Sequence, residues 1–600
     1  MALFAAIVAT MGASAYDFVV DGYYYTISDK AAGFVNIVSG DTKYAGDVVI
    51  PTSVTNGENT YIVNGIGNSA FAECNGLFSV KLNNRIRVIP SNAFQHCQNL
   101  ESVELGTKVE EISYRAFDGC LNLTDVNLSD DITTFGDYAF LGCTSLKSVV
   151  LGASVEKMGH AVFSGCTSLR TLDIHDGCAT IGNNAFEGCT KLTKVVIPNS
   201  VQTLGGSAFV NCSQLSDIVI GDKVKTIPSN AFQNCQNLET VKLGAKVEEI
   251  GYRAFNECTS LSDINLNDVI TTFGDYAFQG CTSLTGVLLG ASVQKMGHAV
   301  FGNCVNIKTV DIHDGCAAIG SSAFEGCTRL ASIDVPASVL TVGSTAFGGC
   351  SSLVSAKIGD GVATLNGYTF SNCLRLQTVV LGAGIRSVGY RAFEECSQLK
   401  QLTVYSPETP TVGDYAFANY NATLYVPEQS VAAYVAHDRW KNFTKTEAIE
   451  GTVYLTIRQG GQGAVSQAVS LGEPFRLSIL ADDGWHVHSV MFNGADVTGQ
   501  LVGNTYTTPA LTQSSTLEII FQEGASGVQS LSQKRVGLRS DGRGNLSITN
   551  IAAGDLVSVY SLDGVLLRHT VAASDHLSIQ LGHRGACIVK VGGQTFKLSM

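Results

Sequence analysis

The chain has 600 residues, 45% of them hydrophobic and 15% charged, with 63 glycines and 10 prolines. That balance describes an ordered, turn-rich protein and excludes a disordered or collagenous one. A formal charge of -14 without any basic run excludes a partner bound through its phosphates, so no nucleic acid is expected.

In chain order, residues 1–15, MALFAAIVATMGASA, carry an apolar run from Leu3 to Met11 followed by Ala13-Ser14-Ala15. A short apolar stretch before a small-x-small site predicts a signal peptide and hence export, with a buried N-terminal strand as the alternative. No Lys or Arg precedes the run, which fits a truncated start. The run is too short to span a bilayer and no later one is long enough, so no transmembrane segment is expected.

A repeat then takes over. Phenylalanine stands at 71, 94, 117, 140, 163, 186, 209, 232, 255, 278, 301, 324, 347, 370 and 393, a step of 23 each time, and Phe417 follows after 24. Three residues beyond each of the first fifteen stands a cysteine, from Cys74 to Cys396; six beyond stands a leucine, or Ile307 once. Within one unit Leu100, Val103 and Leu105 alternate as a short strand does, and Val109 and Ile112 follow in what reads as turn and irregular return. A unit this small cannot bury its apolar face alone, so each coil must stack on the next, in the length range of leucine-rich repeats. The fold class expected is a β-rich leucine-rich-repeat solenoid of about 16 units over 67–405, with little helix. At the spacing of neighbouring strands, sixteen coils would measure roughly 75 Å. A longer period overlies the short one: Val88 to Pro198 returns, about two-thirds identical, as Thr226 to Pro336, a shift of 138 residues or six coils.

The unit I-G-x-x-A-F-x-G-C-x-x-L-x-x-V-x-L resembles the BspA-like, Treponema-type leucine-rich repeats of bacterial surface proteins. The resemblance implies an N-terminal β cap at 16–66, from DFVVDGYYYTISD to GDVVIPTSV. It also implies a final coil and C-terminal cap at 406–450, containing ATLYVPEQSVAAYVAHDRWKNF. It implies further that the protein is a cell-surface adhesin for host matrix proteins or other cells.

Beyond the repeats, 451–522 alternates apolar and polar residues in VYLTIRQ, PFRLSIL and TLEIIFQ, as a small β-sandwich does. Residues 523–534 read as a linker. In 535–600, alternation resumes with hairpin turns at Asp563-Gly564 and Gly592-Gly593. The closing IVKVGGQTFKLSM resembles the C-terminal sorting domains read by the type IX secretion machinery of Bacteroidetes, which implies secretion and anchoring machinery as partners; an ordinary terminal β-domain is the alternative.

Fifteen of the eighteen cysteines form the repeat column; Cys178, Cys316 and Cys587 lie outside it, and there is no C-x-x-C pair. The column reads as buried, reduced thiols packed as small apolar side chains, since their side chains should run parallel into the core. Cys178 and Cys316 are copies of one HDGCA turn. No P-loop, H-E-x-x-H or serine elbow occurs, and no spacing brings a nucleophile to a base, so no enzyme, cofactor or metal site is expected. His160 and His298 share one column and His175 and His313 another, as surface or turn residues rather than ligands or acid–base groups.

The candidate working surface is the outward side of the strands. Its column runs Lys81, Glu104, Asn127, Val150, Asp173, Val196, Val219, Lys242, Asn265, Leu288, Asp311, Asp334, Lys357, Val380 and Thr403. The ten from Glu104 to Asp311 are the candidate ligand-binding residues. The core columns hardly change from coil to coil while this one varies, and its apolar members favour binding over a merely solvating face. The expected protein is thus a secreted or outer-surface binder of an extracellular protein or glycan. The alternative is capture of carbohydrate or nutrient by the 451–522 sandwich through Trp485, Tyr506 or Phe492.

Overall fold

The computed structural model describes residues 16–449 apart from 267. Beyond them it describes 452–459, 465–470, 474–479, 485–502, 505–511, 515–523, 537–540, 545–549, 556–561, 566–571, 576–580, 586–591 and 594–599. The expected signal peptide, the linker from 524 onwards, the turns at 563–564 and 592–593 and the side chains of Trp485 and Cys587 lie outside the described residues, while Glu523 ends the strand Ser515–Glu523. The chain falls into two units, 1–478 with 491–519, and 479–490 with 520–600.

In the first unit the repeats form a β-solenoid. Each coil contributes one strand of two to six residues, such as Gly76–Lys81, Ser102–Glu104 and Asp125–Val126, to a succession of parallel ladders. Pairing advances by 23 residues: Ser148 lies beside Thr171, and Ser355 beside Thr378. Inward residues such as Val103, Val149 and Leu172 are buried, because only stacking removes their faces from water.

The return segment is more regular than expected. Each coil carries a second, two-residue strand, as at Val88–Ile89, Glu111–Ile112 and Thr134–Phe135, and these pair in parallel as a short ladder. Two extended residues would not hold as an isolated strand, but the repeat sets an identical segment one rung above and below. A third set of rungs forms around the phenylalanine, where Ser69, Phe71 and Glu73 donate their N–H groups to the carbonyls of Ser91, Ala93 and Gln95 in the next coil. The intervening Ala70, Ala72 and Cys74 donate back within their own coil. Left-handed backbone two residues before and two after the phenylalanine makes this alternation possible, with φ of 56° at Ser69 and 58° at Glu73. The first of these columns contains no glycine, so each coil carries a conformation costing roughly 1–2 kcal/mol, offset by the inter-coil bonds.

The core is a column of aromatic rings. From Phe71 to Phe417 successive phenylalanines stack with centroids 4.9–5.7 Å apart and planes within 2–14°. The coil spacing enforces an offset stack, a favoured geometry worth about 0.5–1.5 kcal/mol per pair beyond burial. Both ends are closed by other aromatics. At the start Tyr44 packs 4.6 Å from Phe71, beside a five-stranded sheet built from Phe18–Val20, Tyr23–Asp29, Phe34–Val38, Ser53–Asn56 and Asn59–Ile66. At the end Trp440 lies 5.7 Å from Phe417 and donates its indole N–H to the Pro410 carbonyl at 2.7 Å. The only α-helix among the described residues, Val431–Ala436, belongs to this closure.

Later in the first unit, Thr452–Gln459 pairs antiparallel with Val465–Ser470 and parallel with residues 515–519, and Arg476–Ser478 pairs with Thr505–Thr507. In the second unit Gly537–Ser540, Asn545–Thr549 and His576–Gln580 form one antiparallel sheet. Leu566–Val571, Leu556–Ser561, Ala586–Val591 and Gln594–Ser599 form another.

Candidate functional site

The long ladder places the variable column in register. Lys81 stands beside Glu104, Val150 beside Asp173, Val196 beside Val219 and then Lys242, and Leu288 beside Asp311. Glu104, Asn127, Val150, Asp173, Val196, Lys242, Asn265, Leu288 and Asp311 are exposed, and Val219 is half-buried. Val196 at 49% exposure and its neighbour Val219 make an apolar patch on two adjacent coils, and Val150 and Leu288 are each 38% exposed.

Several polar members are already engaged. Glu104 takes the Lys81 ammonium at 2.8 Å, and Asp334 that of Lys357 at 3.1 Å, so these charges partly satisfy each other across coils. The Asn127 side-chain oxygen accepts from the Leu105 N–H at 2.7 Å, replacing the ladder bond lost where Asp125–Val126 stops short. Asp173 lies 3.7 Å from His175, whose other ring nitrogen is 3.1 Å from Asp130. His160 and His298 pack edge-on against Tyr138 and Tyr276 at 5.2 Å. No group of three or more His, Cys, Asp or Glu able to hold a metal occurs among the described residues.

Thr403 departs from the expectation, being only 7% exposed. It forms the floor of a cavity of about 670 Å³ walled by Gln401, Tyr405, Tyr425 and Glu447. Tyr425 and Glu447 continue the outward column past Thr403, beyond the point where the 23-residue spacing that locates the column breaks down. The Glu447 carboxyl is held below its ordinary value by a hydrogen bond from Lys445, 2.6 Å away.

The column thiols point into the core. From Cys97 to Cys396 each Sγ donates to the carbonyl of the phenylalanine 26 residues earlier, at 2.9–3.4 Å. The described cysteines, Cys178 and Cys316 included, are free and buried. Desolvation pushes the Cys166 and Cys212 thiols up to about 12, the reverse of a reactive cysteine.

Of the aromatics considered for a sugar platform, Tyr506 is 1% exposed and Phe492 half-buried, 6.2 Å from it. Tyr506 is therefore core and offers no ring face to a ligand.

One exposed feature escaped the reading of the sequence. Arg115 lies over the rings of Tyr114 and Tyr138 at 5.2 and 5.3 Å, Arg253 over Tyr252 and Tyr276 at 5.1 and 5.2 Å, and Arg391 over Tyr390 and Tyr415 at 5.1 and 5.5 Å. The tetrapeptide YRAF at 114, 252 and 390, spaced by 138, was the available signal.

The profile of the BspA type leucine rich repeat region matches residues 64–193, 110–238, 206–331 and 317–431. Among solved structures, a leucine-rich repeat protein from Bacteroides ovatus is 25% identical, with a TM-score of 0.55, over 72% of this chain and 100% of that one. A leucine rich cell surface protein from Faecalibacterium prausnitzii is 27% identical over 60% of this chain and 93% of that one, with a TM-score of 0.39. The pneumococcal vaccine antigen PcpA is 17% identical over 71% and 96%, with a TM-score of 0.35. No curated protein matches the sequence.

Proposed function

The chain belongs to the BspA-type leucine-rich-repeat proteins, and on that footing we propose that it is an extracellular adhesin. Its outward long-ladder face holds a host matrix protein or another cell's surface protein. The observation that carries this reading is the apolar patch of exposed Val196 and half-buried Val219, set among charged neighbours on a face whose core register does not change. Between the two six-coil blocks the face has been rewritten: Glu104 becomes Lys242 and Val196 becomes Asp334, while the phenylalanine and cysteine columns are kept. A rigid stack bearing weak contacts on many coils gains avidity from their number. The β strands from 537 onwards serve secretion and anchoring in this reading, as the resemblance of the closing segment to sorting domains suggests. Among the described residues no helix is long and apolar enough to cross a membrane.

The test is capture of immobilised matrix proteins by the full chain and by a Val196→Asp, Val219→Asp variant with unchanged circular dichroism. Affinity should fall at least tenfold in the variant. Equal capture by the two would show that this face is not the site.

A further inference from the structure

The short ladder carries a groove that the adhesin reading does not use. Its outward residues Thr226, Glu249, Thr272 and Lys295 stand in register on four successive coils, alternating with the buried Ile227, Ile250, Phe273 and Met296. Over them lies a cavity of about 450 Å³, bordered also by Gly251, Tyr252 and Asp275, within the roughly 300–1,000 Å³ typical of small-ligand sites.

Charges one coil apart elsewhere on the solenoid close on each other, as Arg87 and Glu110 do at 2.7 Å and Lys225 and Glu248 at 3.6 Å. Glu249 and Lys295 sit two coils apart, about 9.6 Å at the usual ladder spacing, with Thr272 between them. Neither has a side-chain partner among the described residues. Tyr252, 39% exposed, forms a rim whose ring is held by Arg253 at 5.1 Å.

In the first block the equivalent carboxylate is already engaged. There Glu111, Thr134, Lys157 and Tyr114 occupy the equivalent positions, but Ser113 stands where the second block has Gly251, and its hydroxyl donates to Glu111 at 2.7 Å. Replacing that serine by glycine removes the internal donor and frees the carboxylate.

We infer that the Glu249–Thr272–Lys295 groove binds a short neutral oligosaccharide. Its hydroxyls would donate to Glu249 and accept from Lys295, and one sugar ring would rest against Tyr252. The lining carries two carboxylates, Glu249 and Asp275, and one ammonium, with the Arg253 guanidinium behind Tyr252, so the groove has no excess of positive charge to favour sialylated or sulfated chains. A peptide strand is disfavoured too, since the ladder already uses the main-chain groups that strand addition would need.

The test is a glycan array of neutral, N-acetylated, sialylated and sulfated di- to tetrasaccharides, probed with the full chain. Wild type should hold neutral or N-acetylated chains, and Lys295→Ala and Gly251→Ser should each lose at least tenfold in affinity, whereas Lys157→Ala should not. A Cβ at Gly251 would stand 2.8–2.9 Å from the backbone of Ile227, Pro228 and Ser229, so circular dichroism must verify that Gly251→Ser folds, and Lys295→Ala tests the groove without that demand. The converse Ser113→Gly should raise the stoichiometry by isothermal calorimetry from one site to two. No glycan bound by wild type, a preference for acidic chains, or undiminished binding in Lys295→Ala and Gly251→Ser would overturn the proposal. These variants lie on the other ladder from Val196 and Val219, so each proposal can fail alone.

Discussion

Raising the pH from 8.5 to 10 should strip stability from the solenoid through its buried thiols. In the unfolded chain a cysteine ionises near about 8.5. In the folded coils burial holds Cys166 and Cys212 up at about 12, and raises Cys143, Cys189, Cys235 and Cys258 in the same direction. Between those values the folded state keeps protons that the unfolded state has released. The contribution is therefore complete below the unfolded value and falls by roughly 1.4 kcal/mol per pH unit for each thiol as pH rises. By pH 10 Cys166 and Cys212 have each given up roughly 2 kcal/mol, and the other four add to the loss in the same direction. A block of this length holds roughly 7–20 kcal/mol by the usual yield per residue. Urea unfolding followed by circular dichroism at several pH values between 7.5 and 10 measures the slope. A Cys212→Ala, Cys235→Ala variant should show a shallower fall with pH, whatever its stability at neutral pH. An unfolding free energy flat from pH 8.5 to 10, an unaltered slope in the variant, or rapid thiol labelling of the folded protein at pH 8 would refute the reasoning.

Removing one ring from the stack should be costly in proportion to its burial. Phe232, fully buried between Phe209 at 5.6 Å and Phe255 at 5.3 Å, should cost about 3–5 kcal/mol as Phe232→Ala; a loss below about 0.5 kcal/mol in urea unfolding, the level of a surface change, would contradict the stack's role. Two glycines should respond differently to alanine. A Cβ on Gly205 would fall 2.3 Å from the Gly182 carbonyl carbon, in backbone that cannot yield, whereas Gly142, at φ 68°, has open space around it. Thermal unfolding should therefore show Gly142→Ala losing about 1–2 kcal/mol and Gly205→Ala considerably more; equal losses would mean that inter-coil approach does not limit the latter.

Much of this architecture was legible because the period repeats the same physical demand fifteen times. A phenylalanine every 23 residues with a cysteine three later announces a stacked coil even though no single unit would reveal it. The outward column was legible too, by alternation with Val103, Val149 and their counterparts. Where the spacing slipped to 24, the reading stopped at Thr403, and the cavity between Tyr405 and Tyr425 went unseen. The short ladder escaped because two residues show no period; stacking alone makes strands of them.

The sequence by itself determined what repeats: the coil length, the core columns, the duplicated six-coil block and the buried thiols, each following from which side chains must leave water. Only the tertiary structure decided what meets across coils. Glu104 is paired with Lys81 while Glu249 is left open, Arg253 is set between two tyrosines, and Tyr506 is withdrawn into a core. Those outcomes depend on distances between residues far apart in the chain, which the period aligns but does not measure.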